Sequence, residues 1–180
     1  MGSKRARVIA SRTIFQGKVF GVRRDDVVEP GGVRATRDVV THRGSVVLLP
    51  VFPDGNILLV RQYRHAVGQF LWELVAGRID KGETSLRAAK RELLEETGYS
   101  ARRFRKLLEL FPTPGFVNER MVIYSAHGLR AGVARPEADE KILARRFSLA
   151  RLGRMMKAGA LRDAKSIAGI LYYTRFHGRR

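Results

Sequence analysis

The chain contains no cysteine among its 180 residues, which excludes a disulfide framework and a thiolate metal site. It is poor in acid, with 17 Asp and Glu against 35 Lys and Arg, a formal net charge of +18. No apolar run approaches the roughly 20 residues that a membrane helix needs. The opening MGSKRARVIA has positive charge but no apolar stretch of the signal-peptide kind. Ala6 stands where a myristoylation signal requires Ser or Thr. These absences lead to the expectation of a soluble, cytoplasmic protein with no membrane partner. Internal repeats and low-complexity segments are absent too.

What is present suffices for one compact core with a small appendage, since 44% of the chain is hydrophobic. The basic excess invites a nucleic-acid reading. Arginine is spread along the whole chain, however. The densest clusters, ARRFRK (101–106) and ARRFSLARLGRMMK (144–157), lack the interleaved aromatics of a single-strand binder. A nucleic-acid partner is therefore not expected. A polyanionic small substrate would benefit from the same field.

Residues 1–40 read as a separate N-terminal β-sheet layer. RTIFQGKVFGVRRDDVV alternates apolar and polar residues, breaks at EPGG (29–32), and the alternation resumes in VRATRDVVTH. So small a sheet buries little by itself and needs the main body or a partner subunit to pack on. The main domain, 41–180, begins its core with SVVLLPVF as a buried strand, PDGN (53–56) as a turn and ILLVRQYR as the next strand. LWELVAG reads as one short strand, and RKLLELF, RMVIYSAHGL and KILARRFS as later ones. SLRAAKRELLEET has helical spacing, with Leu86, Ala89, Leu93 and Thr97 on one face and Gly98 as its stop. Two further helices follow, capped by Ser148 and Asp163. Strands and helices that interleave in this way predict a layered α/β fold on one mixed sheet.

The first of these helices carries Glu92, Glu95 and Glu96. At about 100° per residue, Glu95 falls about 60° behind Glu92 and Glu96 about 40° ahead, so all three leave one side. Like charges at this spacing repel, and the C-terminal end of a helix disfavours anions. A divalent cation with oxygen ligands would offset both effects. Glu83, in the preceding loop, can fold back over the same turn, and Arg91 can hold a carboxylate in place. A solvated acidic face is the alternative that spacing leaves open.

The stretch Gly77–Tyr99 resembles the Nudix box, G-x5-E-x7-R-E-U-x-E-E-x-G-U, with U a bulky apolar residue. Every fixed position is met, by Gly77, Glu83, Arg91, Glu92, Leu93, Glu95, Glu96, Gly98 and Tyr99. The resemblance implies a Nudix α/β/α sandwich on a mixed sheet, with a small N-terminal antiparallel sheet. It also implies metal-dependent hydrolysis of a nucleoside diphosphate linked to another group. HRGSVVLLPVFPDGNILLVRQYRHAVGQFLWELVAGRIDKGE (42–83), FPTPGFVNER (111–120) and DAKSIAGILYY (163–173) resemble the ADP-ribose and nucleoside-diphosphate-sugar pyrophosphatases. Pro114, sixteen residues after Gly98, fits that subfamily as well.

By that resemblance Glu92, Glu95 and Glu96, with Glu83 and the carbonyl of Ala76, bind Mg²⁺ or Mn²⁺. Arg64 would touch the diphosphate, or stand as a strand-end surface arginine. Glu119 would reach sugar hydroxyls from the Pro114 loop, or be an exposed loop acid. Glu73 would contact the nucleoside side, or pair with an arginine. The general base would come from PEADEK (136–141), where Glu140 is the best match and Ala138 replaces an acid usual in relatives. Glu137, or a box glutamate such as Glu95 beside Arg91, is the alternative base. Phe15, Phe20 and Arg37 are candidates for recognising the base of the nucleotide. The resemblance also implies a homodimer joined through residues 1–40. Rival readings are a Nudix enzyme for NADH, a dinucleoside polyphosphate, a nucleoside triphosphate or an RNA 5′ end. A further rival is a non-catalytic sensor of ADP-ribose or nucleic acid.

Overall fold

A computed structural model describes residues 5–134 and 142–177. The described residues form two compact units, one falling within 1–44 and 111–120, the other within 45–110 and 121–180.

The first unit is an antiparallel meander of β1 (Arg7–Gln16), β2 (Gly21–Val28) and β3 (Arg34–Thr41). The chain turns twice. Gly17 donates its N–H to the Phe20 carbonyl between β1 and β2, a break that the alternation did not reveal. Gly31 and Gly32, at φ 90° and 87°, close the expected turn at 29–32 in a conformation that other residues rarely adopt. Segment 111–120 joins this unit where Asn118 N–H bonds the Val40 carbonyl and Val40 N–H bonds that of Phe116. Strand β1 is exposed throughout.

The second unit has a seven-stranded mixed sheet. Its strands are β4 (Ser45–Val51), β5 (Ile57–Arg64), β6 (Gln69–Glu73), β7 (Val75–Arg78), β8 (Tyr99–Leu110), β9 (Met121–Ala131) and β10 (Leu143–Phe147). The order is β10-β5-β4-β9-β8, with β6 on β5 and β7 on β4. Among the described strands of this sheet only β4 and β9 pair in parallel. LWELVAG is therefore two strands, not one. At Leu74 the chain changes partners from β5 to β4, and the break is what sets Glu73 and Ala76 on different ladders.

Among the described residues three α-helices cover the sheet: α1 (Ser85–Thr97), α2 (Leu149–Lys157) and α3 (Ala164–Phe176). Strand β4 is buried from end to end because both its faces are covered. Val46 and Leu48 pack with Val122, Tyr124, Ala89 and Leu93 on the α1 side. Val47 and Leu49 pack with Ile123, Leu152, Met155 and Ile170 on the other. A helix layer on each face of one sheet is the α/β/α sandwich.

One element of the helix reading is corrected. Leu86 does not face the core; it is 39% exposed. The buried arc of α1 runs through Ala88, Glu92, Glu96, Ala89 and Leu93, about 140° wide at 100° per residue. Leu86 falls just beyond the Leu93 edge. Two of the three glutamates thus lie inside the buried stripe rather than on an arc beside it.

Candidate active site

Strand β7, a loop and α1 build the carboxylate site. Thr84 caps α1 by accepting the Arg87 N–H. Glu83 closes the loop: its N–H bonds the Asp80 carbonyl, and its Oε2 accepts the Asp80 N–H at 3.2 Å. At the far end Gly98 ends the helix in the left-handed region at φ 71°. A Cβ there would also stand 2.6 Å from the Ala134 nitrogen, so the residue needs both its φ and its lack of side chain. Gly77 answers to space alone. A Cβ on it would lie 1.9 Å from Cδ of Glu92, so the Glu92 carboxylate occupies the room a side chain would take.

Arg91 is the centre of the site. Nε donates to Glu83 Oε1 at 3.1 Å, and Nη1 to Glu92 Oε1 at 2.7 Å and Glu95 Oε2 at 3.0 Å. Nη2 donates to Glu83 Oε2 at 2.9 Å and to the Arg78 carbonyl at 3.0 Å. All five guanidinium N–H donors are engaged. The hydrogen bond to Glu83, against some opposition from burial, raises the Arg91 pKa well above its ordinary value. The same bond holds the Glu83 carboxyl below its own. The offset that the clustered charges require is thus supplied in part by Arg91 itself.

Glu92 and Glu96 are buried, while the Glu95 side chain is 41% exposed. Among the described residues no three Asp, Glu or His side chains converge as a finished metal site. The donor set nevertheless suits a hard divalent cation: it is all carboxylate oxygen, from Glu83, Glu92, Glu95 and Glu96, around the cradle at Gly77. Ala76 lies next to that cradle on β7, opposite Val47 of β4.

Arg64 and Glu73 come together as a pair. Arg64 Nε and Nη2 each donate to Glu73 at 2.8 Å, a two-pronged contact. Lys165 of α3 bonds the same carboxylate and Asp163. Glu73 is only 1% exposed. Burial pushes its pKa up, yet the bonds from Arg64 and Lys165 outweigh burial and hold it below the ordinary value. Arg64 is raised chiefly by the Glu73 bond, and also feels the charges of Glu96 and Asp163. Arg64 thus stands within electrostatic reach of the box. Lys165 was not found by sequence reading, because its partner lies 92 residues away. Ser166 is 0% exposed and accepts the Leu74 N–H released at the β6–β7 break.

Pro114 and Glu119 belong to the first unit. Glu119 is half-buried, not an exposed loop acid. Its carboxylate is 3.5 Å from His42 Nδ1, a nitrogen that also lies 3.1 Å from the Gly44 N–H. Phe15 and Phe20 pack on each other at 5.7 Å, and Arg37 pairs with Glu29. Glu137 and Glu140 lie outside the described residues. No helix among the described residues is long and apolar enough to cross a membrane.

The NUDIX domain model matches residues 41–169. The chain is 41% identical to an ADP-ribose pyrophosphatase of Mycobacterium tuberculosis, over 91% of this chain and 80% of that one. It is 33% identical to an ADP-ribose pyrophosphatase of Bacillus subtilis, over 96% and 94%. In fold it is similar to the crystal structure of an ADP compounds hydrolase, with a TM-score of 0.84, 24% identity, and 98% and 97% of the two chains covered.

Proposed function

Because the chain belongs to the Nudix family, we propose that it hydrolyses the diphosphate bond of ADP-ribose or a related nucleoside diphosphate sugar. The products are a nucleoside monophosphate and a sugar phosphate. The observation that carries this reading is the complete box folded around Arg91, in a chain similar over most of its length to two ADP-ribose pyrophosphatases. Nudix hydrolases use divalent metal ions, and here the ion is Mg²⁺ or Mn²⁺, held by Glu83, Glu92, Glu95 and Glu96 with the Ala76 carbonyl. When bound, such an ion neutralises phosphate oxygens and lowers the pKa of the attacking water.

The chain's own groups divide the remaining work. Arg91 fixes the rotamers of Glu83, Glu92 and Glu95, so that their oxygens are ordered before substrate arrives. Arg64 commits two of its donors to Glu73, which aligns the guanidinium and leaves three for diphosphate oxygens. Glu119 and Pro114 contribute to sugar recognition. A carboxylate within hydrogen-bond reach of the water takes its proton; Glu140, Glu137 and Glu95 are the candidates. The first unit makes the protein a homodimer, a reading supported by Val8, Ile9, Ile14, Val19 and Val33, each more than half exposed on so small a sheet.

The test is product release with Mg²⁺ or Mn²⁺ across ADP-ribose, UDP- and GDP-sugars, NADH, diadenosine polyphosphates and nucleoside triphosphates. ADP-ribose or a nucleotide sugar should give the highest kcat/KM. No turnover of any diphosphate-linked compound would sink the enzyme reading.

A further inference from the structure

The face of the seven-stranded sheet turned away from α1 carries a cavity of about 580 Å³, lined in part by Phe52, Arg103, His127, Leu149, Tyr173 and His177. A neighbouring hollow of about 320 Å³ shares Arg103, His127 and Tyr173 and extends to Arg105 and Ser125. The sheet register explains the grouping. Arg103 of β8 stands opposite His127 of β9, and Arg105 opposite Ser125. By two-residue alternation they share the face on which Leu107 and Ile123 meet the α2 and α3 side of the core. Tyr173 of α3 approaches the His127 ring at 6.3 Å between centroids.

Three properties mark this hollow as a place for an anion. Arg103 and Arg105 are exposed and form no ion pair with any described residue. The one acid in the lining, Asp54, is bonded to Asn56 through both carboxylate oxygens. Ser125 is 1% exposed, and its hydroxyl has no hydrogen-bond partner among the described residues although it lines the hollow. Leaving such a group unsatisfied is unfavourable, and a ligand oxygen would satisfy it. The local field is positive: burial, then the charges of Arg103 and Arg105, hold the His127 imidazole below its ordinary pKa.

We propose that this cavity is a second ligand site, which binds a phosphorylated small molecule. Arg103, Arg105 and the Ser125 hydroxyl receive the phosphate, and Leu149 and Tyr173 flank its organic body. Arginine forks match phosphate oxygens, and the volume is of the size that small-ligand sites have. The acidic helix lies on the other face of the sheet, so the two sites are distinct. Nothing in this assignment depends on which diphosphate the box hydrolyses.

The experiment is NMR of the His127 ring in the full chain, titrated with AMP and, in parallel, with inorganic phosphate, no divalent cation being added. A saturable shift is expected, with AMP the tighter ligand, and the imidazole should titrate at higher pH once the anion is bound. Arg103→Ala with Arg105→Ala should weaken AMP at this site by at least about tenfold, through loss of two charge-assisted contacts. Ser125→Ala should weaken it less and leave the fold intact, because the hydroxyl has no hydrogen-bond partner among the described residues. Turnover at the box should be unchanged in both variants. The absence of a saturable shift, or equal affinity in the double variant, would overturn the site. Equal affinity for AMP and phosphate would overturn the role of Leu149 and Tyr173. Displacement of AMP by a short single-stranded oligonucleotide at far lower concentration would replace the small-molecule occupant with nucleic acid.

Discussion

Two ion clusters in the second unit are built with opposite signs. At Arg91 one cation stands among the carboxylates of Glu83, Glu92 and Glu95. At Glu73 one carboxylate stands between the cations of Arg64 and Lys165. The difference is in the balance of charge. The Glu73 cluster counts Glu73 and Asp163 against Arg64 and Lys165, and closes on itself. The Arg91 cluster keeps an excess of negative charge on a helix end that disfavours it. A closed cluster positions side chains, while one with excess charge can still take up a cation. Glu96 links them, since its charge is felt at Arg64.

Neutralising one carboxylate in the open cluster tests this directly. Glu96→Gln keeps shape and burial but removes a charge from the set that would hold the ion. Charge stabilisation by such an ion is worth several kcal/mol, so kcat should fall by about a hundredfold or more. The melting temperature should hold. Activity that survives would show that Glu96 does not help to hold the ion. Gly77→Ala attacks the same cluster through space. Its Cβ would collide with the Glu92 carboxylate, and overpacking of this kind costs about 1–3 kcal/mol. Activity should drop through displacement of Glu92, with a smaller loss in melting temperature. Wild-type turnover in this variant would mean that Glu92 is free to sit elsewhere.

The closed cluster should respond the other way. Glu73→Gln leaves Arg64 and Lys165 facing a neutral amide, and loses charge-assisted hydrogen bonds worth about 2 kcal/mol in all. The low end of what a buried pair can cost is appropriate, because the Arg64 side chain is 39% exposed and can reach water. Stability measured by urea should fall, and KM should rise more than kcat falls if Arg64 has lost its alignment. A change in kcat alone would place Glu73 in the chemistry instead.

The contrast also separates what sequence could reveal. The box was legible because it is local: Gly77, Glu83 and the α1 residues fall within 23 consecutive positions, and helical spacing fixes their relative directions. The caps at Ser148 and Asp163 are local in the same way. The arc of burial was misjudged at Leu86, because the helix buries acids that composition would put outside. The Lys165–Glu73 contact, the break at Leu74 and the pairing of Arg103 with His127 depend on which strands and helices meet. No spacing rule reaches across 92 residues, so these had to come from the fold.

The smallest expected effect compares the two clusters in acid. Glu83 and Glu73 both have carboxyls held below the ordinary value, Glu83 by the Arg91 bond and Glu73 by Arg64 and Lys165 against burial. A carboxyl held low contributes stability that is full above the unfolded pKa of about 4.3 and is lost as pH falls through the folded value. Both clusters therefore strengthen the protein at neutral pH and weaken in acid. Glu83 carries the smaller share: its side chain retains some solvent contact and ends in a loop, so under about 1 kcal/mol is at stake. In urea titrations at pH 7, 5 and 3 with a chelator present, Glu83→Gln should lie below wild type at pH 7 and converge on it at pH 3. A gap that stays constant with pH would mean that Glu83 acts through the shape of the loop rather than its charge. In that case Arg91 would owe its position to Glu92, Glu95 and the Arg78 carbonyl alone.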